Sequence, residues 1–184
     1  MRTSLSHPLR VDALPCHPHA PGVIGITFCP GKRGDSVYGA PWARDLALDL
    51  DAIAAWGADM MLTLVEAHEL RHLGVPHLGE AVARRGVPWH HLPIRDLQAP
   101  DREFMATARD PLRSALTTLR AGGKVLVHCR GGLGRAGTVA ASLLIELGER
   151  PADALSRVRH ARPGSVETAA QESYVLGYTR WVAD

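Results

Sequence analysis

Aromatic residues are scarce: Trp, Tyr and Phe together make up 5% of the 184 residues. The core must therefore be built from aliphatic side chains and alanine, and a chain of this length can bury one as a single domain. No apolar run is long enough to span a bilayer, so no membrane contact is expected. Positions 1–20 hold three prolines and three histidines and no apolar stretch of leader type, so no targeting segment is expected. Neither sign of charge dominates: 21 Lys and Arg face 19 Asp and Glu, a formal net charge of +2. Without a basic block, nucleic acid is not an expected partner. Cysteine is limited to three widely spaced residues. That spacing matches neither a disulfide framework nor a zinc pattern, and no metal or cofactor is expected.

Strand-like and helix-like segments alternate along the chain. Positions 23–28, 60–65, 87–94 and 124–129 read as strands. Helical spacing is expected over 42–56, 103–120, 136–147, 151–160 and 168–181, with 66–85 broken by Pro76 into two short helices. A turn restarting at Asp110-Pro111 is expected inside 103–120. This order implies an α/β fold: a mainly parallel central sheet flanked by helices on both faces. Positions 1–20 read as an irregular N-terminal arm.

The most informative run is His128-Cys129-Arg130-Gly131-Gly132-Leu133-Gly134-Arg135. A thiol ends an apolar strand, a glycine-rich loop follows, and a helix begins near an arginine. Loop N–H groups can turn inward as an anion nest, and glycine makes the required backbone angles accessible. The helix start adds its positive dipole end. Arg135 can hold two oxygens of a phosphate in its planar fork. Residues 130–135 are thus the candidate phosphate-binding loop and Cys129 the candidate nucleophile, since the same field favours its thiolate. The leaving oxygen needs a proton donor. Asp96, Asp101 and Glu103 all lie in the segment after the strand ending at Ile94, and Asp96 is preferred because it follows that strand directly. A free thiol nucleophile needs a reducing compartment, so a cytoplasmic location is expected.

This constellation resembles the Cys-based protein phosphatase superfamily, whose signature is His-Cys, five residues, Arg. Within it the chain is most similar to the dual-specificity group, and specifically to the cyclin-dependent-kinase-associated phosphatase family. The resemblance covers most of 22–180 and includes Phe28-Cys29-Pro30-Gly31-Lys32, the stretch from His90 to Asp96, Ala99-Pro100-Asp101, the cysteine loop and Arg162 to Thr168. It implies a catalytic domain over 21–184 that hydrolyses phosphomonoesters of phosphoproteins through a cysteinyl-phosphate. It implies Cys129 as nucleophile, Arg135 as phosphate ligand, Asp96 as general acid and His128 as a residue that orients the loop. Gln171 falls where some relatives place a glutamine near the hydrolytic water, with a structural role an equal alternative. A monomer acting on a phosphorylated protein or peptide is expected. The alternatives are a phosphoprotein-binding module with little turnover and a phosphoinositide or inositol phosphate phosphatase. Sulfurtransfer and arsenate reduction are less favoured.

One position departs from the family pattern. Many relatives carry Ser or Thr after the arginine, where its hydroxyl reaches the sulfur; here Ala136 stands there, which implies slower breakdown of the intermediate. Between the first strand and the first helix, Tyr38 and Trp42 are the only aromatics, so a shallow pocket is expected. Lys32, Arg33 and Arg130 read as surface charge, with acidic or polyphosphorylated substrates as the alternative. His68, His72 and His77 read as solvated. His90 and His91 alternate across a strand and cannot face one metal, although one of them could buttress the loop. Cys16 and Cys29 read as inert, with a protective disulfide from one of them to Cys129 as the alternative.

Overall fold

The computed structural model describes residues 1–36 and 39–182; Tyr38 lies outside them. Elements follow in the order β1 (Asp12–Pro15), β2 (Val23–Phe28), β3 (Arg33–Gly34), β4 (Trp42–Ala43), α1 (Leu46–Trp56), β5 (Met60–Thr63), α2 (Ala67–His72), α3 (Leu78–Ala83), β6 (Trp89–His91), α4 (Arg102–Arg120), β7 (Lys124–Cys129), α5 (Gly134–Glu146), α6 (Pro151–Ala161) and α7 (Ala169–Leu176).

The main sheet runs β1-β2-β7-β5-β6. β2, β7, β5 and β6 are parallel, and β1 pairs antiparallel with β2. The expected mainly parallel α/β sheet is therefore present. The stretch read as an irregular arm supplies β1: Leu14 is buried and faces Ile24 in register. Its flanking prolines hid it from pattern reading, and proline is tolerated on an edge strand.

β7 lies mid-sheet, so Val125, Leu126 and Val127 are fully buried. This is the continuous apolar run that a strand covered on both faces requires. Every residue of α5 from Gly134 to Glu146 is buried, so the helix presents no solvated face. It is sandwiched between the sheet and helices α6 and α7.

Three other expectations shift. α4 continues through Pro111 without restarting. α1 starts at Leu46, because Asp45 caps it by accepting the Leu48 N–H, while Trp42 and Ala43 pair with β3 instead. α7 ends at Leu176, with Gly177 as its C-cap.

Candidate active site

Four loops leave the C-terminal ends of the four parallel strands and converge, the usual position of a site in an open α/β sheet. The loop after β2 brings Lys32, and that after β5 leads into α2, whose first turn brings Glu69. The loop after β6 brings Asp96, and that after β7 is the cysteine loop. Together with β3, β4 and the segment before α7 they line a cleft of about 450 Å³, which includes Asp96, Leu97, Arg130, Gly131, Leu133 and Glu167.

Cys129 ends β7 and is 3% exposed. Its Sγ accepts the Gly132 N–H at 3.2 Å. Gly132 has φ of 73°, and a Cβ there would sit 2.4 Å from the Thr27 carbonyl oxygen. Only glycine fits both constraints. Gly134 is crowded in a different way: its Cβ would come within 2.5 Å of the Glu167 carboxylate, whose Oε2 accepts the Gly134 N–H at 2.7 Å, and within 2.8 Å of the buried Gln171 amide. Gly131 is crowded by nothing, so only two of the three loop glycines answer a steric need.

Arg135 lies in the first turn of α5, 2% exposed. Its Nη1 and Nη2 donate to Glu69 Oε2 and Oε1 at 2.6 and 2.8 Å, and Nη1 donates also to the Ile94 carbonyl at 2.9 Å. Nη2 lies 3.0 Å from Asp96 Oδ1. Burial acts against both ions of the central pair. Hydrogen bonds from Arg135 and the Glu66 N–H still hold the Glu69 carboxyl below its usual range. The Glu69 bonds, with the charges of Cys129, Glu69 and Asp96, hold Arg135 firmly cationic. Glu69 was missed in the sequence. The available signal was an acidic pair, Glu66 and Glu69, just past the C-terminal end of a buried strand. These two also form a capping box that starts α2.

Asp96 is half-exposed on the cleft and reaches Arg135. Asp101 is the N-cap of α4 and accepts the Phe104 N–H at 3.0 Å; Glu103 lies one residue inside that helix. Among the described residues, two that are not glycine hold left-handed φ: Leu97 at 61° and Val166 at 59°. Each adjoins a cleft carboxylate, Asp96 or Glu167, and such backbone strain costs about 1–3 kcal/mol per residue. Tertiary bonds hold it in place. Thr168 Oγ1 donates to the Leu97 carbonyl at 3.2 Å, and Gln171 Nε2 donates to the Gln98 carbonyl at 3.1 Å. Gln171 is fully buried, and its Oε1 accepts the Glu167 and Thr168 N–H groups. Its contacts in this structure are thus structural, joining the Asp96 loop to the segment before α7.

His128 is fully buried behind Cys129. Trp89 Nε1 donates to Thr63 Oγ1 at 2.8 Å, which leaves the Thr63 hydrogen free for His128 Nε2 at 2.7 Å. A neutral imidazole suits this chain. Burial pushes His128 down to about 3, the Cys129 backbone opposing and Arg135 reinforcing. The unfolded chain takes up this proton near 6.5 and the folded protein does not. The associated stability is complete above pH 6.5 and is lost as pH falls toward 3. Between pH 7 and 5 the unfolding free energy should drop by about 2 kcal/mol, and His128→Gln should remove most of that drop. Urea melts at the two pH values check this; an identical drop in the variant would refute it.

The remaining candidates lie elsewhere or are occupied. Ala136 is fully buried, and the Thr138 hydroxyl donates to the Gly134 carbonyl at 2.8 Å. His68, His72 and His77 are exposed. His91 Nε2 bonds the Val65 carbonyl at 2.8 Å. Cys16 and Cys29 are free and buried, and burial pushes their thiols up to about 11 and 12. Arg33 and Arg130 are exposed as expected, whereas Lys32 is 8% exposed and is no surface charge. No helix among the described residues is long and apolar enough to cross a membrane.

Comparison with known proteins agrees with this geometry. A family profile described as Swiss Army Knife protein, DSP-PTPase phosphatase domain, matches residues 44–175. Human cyclin-dependent kinase inhibitor 3 is 30% identical over 155 residues, 83% of this chain and 69% of that protein. The rat protein of the same name is 29% identical over the same extent. Among solved structures, kinase associated phosphatase with its catalytic-site cysteine substituted by serine superimposes with a TM-score of 0.80. It is 27% identical and covers 91% of this chain and 92% of its own. Tk-PTP in its active form gives a TM-score of 0.66 at 33% identity, covering 90% and 93%. The cysteine-glycine loop, the buried arginine behind it and the profile across most of the fold lead to one assignment: this chain belongs to the DSP-PTPase family of Cys-based protein phosphatases.

Proposed function

We propose that Cys129 carries out phosphomonoester hydrolysis in two steps. Its thiolate attacks phosphorus, the bond to the ester oxygen breaks, and Asp96 gives that oxygen its proton. Water then attacks the cysteinyl-phosphate, Asp96 takes up a proton, and inorganic phosphate and the thiolate are released. The observation that supports this most is Arg135. It sits behind Cys129, oriented by Glu69, with Asp96 on its remaining edge. A phosphate dianion binding Arg135 would displace Asp96 from the guanidinium. Residues 130–135 supply loop N–H groups to the phosphate oxygens. The Gly134 N–H is shared with Glu167, so phosphate must compete with that carboxylate for it.

The substrate we assign is a phosphorylated protein or peptide. This rests on likeness to kinase associated phosphatase and on an open cleft with Leu97 exposed at its edge. The catalytic unit we assign starts at β1 and acts as a monomer. A cytoplasmic setting would keep its free thiols reduced. Hydrolysis of p-nitrophenyl phosphate, inhibited by vanadate and absent in Cys129→Ser, tests the reading. Inactive wild type would leave a phosphoprotein-binding module.

A further inference from the structure

Lys32 lies between β2 and β3, largely buried where the cleft lining meets the cysteine loop. Its Nζ donates to the Arg130 carbonyl, the first residue after Cys129, at 3.3 Å. The ammonium sits 4.5 Å from the centre of the Phe28 ring and 4.3 Å from that of Trp42. Phe28 is the register partner of Cys129 across β2 and β7. Two aromatic faces and one carbonyl thus fix the cation beside the nucleophile's strand end.

Among the described residues no carboxylate forms an ion pair with Lys32, and its cationic neighbours are paired or exposed. Arg44 faces the same rings but is neutralised by Asp49 through two bonds of 2.7 Å. Arg135 is neutralised by Glu69. Arg130 is exposed to solvent. Burial lowers Lys32 to about 8; the Cys29 and Cys129 sulfurs oppose this, and Arg44 and Arg130 add to it. After burial, the largest of these influences come from the sulfurs and the arginines. Of the two sulfurs, Cys29 is held as a thiol by burial, which leaves Cys129 as the group that can answer the ammonium with negative charge.

We propose that Lys32 is a positioning residue for the phosphatase reaction: its caged ammonium fixes the start of the phosphate loop and stabilises the Cys129 thiolate. This rests on Cys129 being the nucleophile, so the test separates the two claims. Alkylation by iodoacetamide, a neutral reagent that Lys32 cannot steer, is followed at Cys129 by peptide mass spectrometry across pH. Lys32→Met keeps the apolar stem between the rings. Lys32→Gln keeps a donor for the Arg130 carbonyl without the charge, and Lys32→Arg keeps the charge. At pH 6 the Met and Gln variants should alkylate about tenfold more slowly than wild type, and the Arg variant should stay near it. The acidic limb of kcat/KM for p-nitrophenyl phosphate should move to higher pH in the same two variants. Melting curves show that each variant is folded. Wild-type alkylation with superimposable Met and Gln profiles overturns the Lys32 role and leaves the nucleophile intact. A loss confined to doubly phosphorylated peptides also overturns it and makes Lys32 a recognition residue. A wild-type Cys129 inert at neutral pH contradicts the nucleophile itself.

Discussion

Arg135→Lys should lower kcat/KM toward any phosphomonoester by about 10²–10³-fold, although the charge is conserved. A lysine offers one point charge where the guanidinium serves Glu69 with two nitrogens, the Ile94 carbonyl, and Asp96 on the edge a phosphate would take. The substitution leaves the Glu69 carboxylate, 9% exposed, with an incomplete set of donors. Removing one partner of a buried pair outright costs about 3–5 kcal/mol, so folding is part of the test. Double substitution with Glu69→Gln relieves the unpaired carboxylate. It should recover stability in urea melts without recovering rate. If Arg135→Lys kept most of its activity, the fork would not be the phosphate ligand.

Asp96→Asn should show an effect that depends on the leaving group. With phosphoserine or phosphotyrosine peptides, whose leaving oxygens need a proton, kcat/KM should fall by about 10²–10⁴-fold. With p-nitrophenyl phosphate, whose leaving group departs unprotonated, the fall in kcat/KM should be far smaller, although kcat falls with the loss of the base in the second step. Asparagine retains the oxygen that faces Arg135, so loop geometry is preserved. Asp101→Asn serves as the contrast. Its carboxylate caps α4 by accepting the Phe104 N–H, so it should lower stability by about 1 kcal/mol and leave the leaving-group dependence unchanged. An Asp96 variant equally impaired on both substrate types would argue for a binding role instead.

The parts of this site that lie close together in the chain were legible in the sequence. The strand to Cys129, the loop and the helix after it are one continuous signal, because strand period, glycine content and helical period change within a dozen residues. Asp96 was legible as the acidic residue at a strand end, although the sequence left Asp101 beside it. What escaped were groups that the sheet order brings in from a distance. Glu69 meets Arg135 because β5 lies next to β7, and no local pattern encodes that adjacency. Glu167 reaches the Gly134 N–H only because the segment before α7 folds back over α5. Lys32 was misread because charge suggests solvent, whereas Phe28 and Trp42 enclose it from two different strands. β1 was missed because edge strands need little hydrophobic signal. Gln171 had two equal readings, and its buried amide bonds favour the structural one.

Ala136 gives the covalent step its most direct readout. Without a hydroxyl beside the sulfur, and with Thr138 committed to the Gly134 carbonyl, breakdown of the intermediate should be the slow step. Enzyme mixed with p-nitrophenyl phosphate and quenched within the first turnovers should release a burst of p-nitrophenolate close to the enzyme concentration. Peptide mass spectrometry of the quenched sample should find one phosphoryl group on the peptide that carries Cys129, and none after Cys129→Ser. Hydrolysis that persists in Cys129→Ser, or a phosphoryl group on any other residue, would contradict Cys129 as the nucleophile.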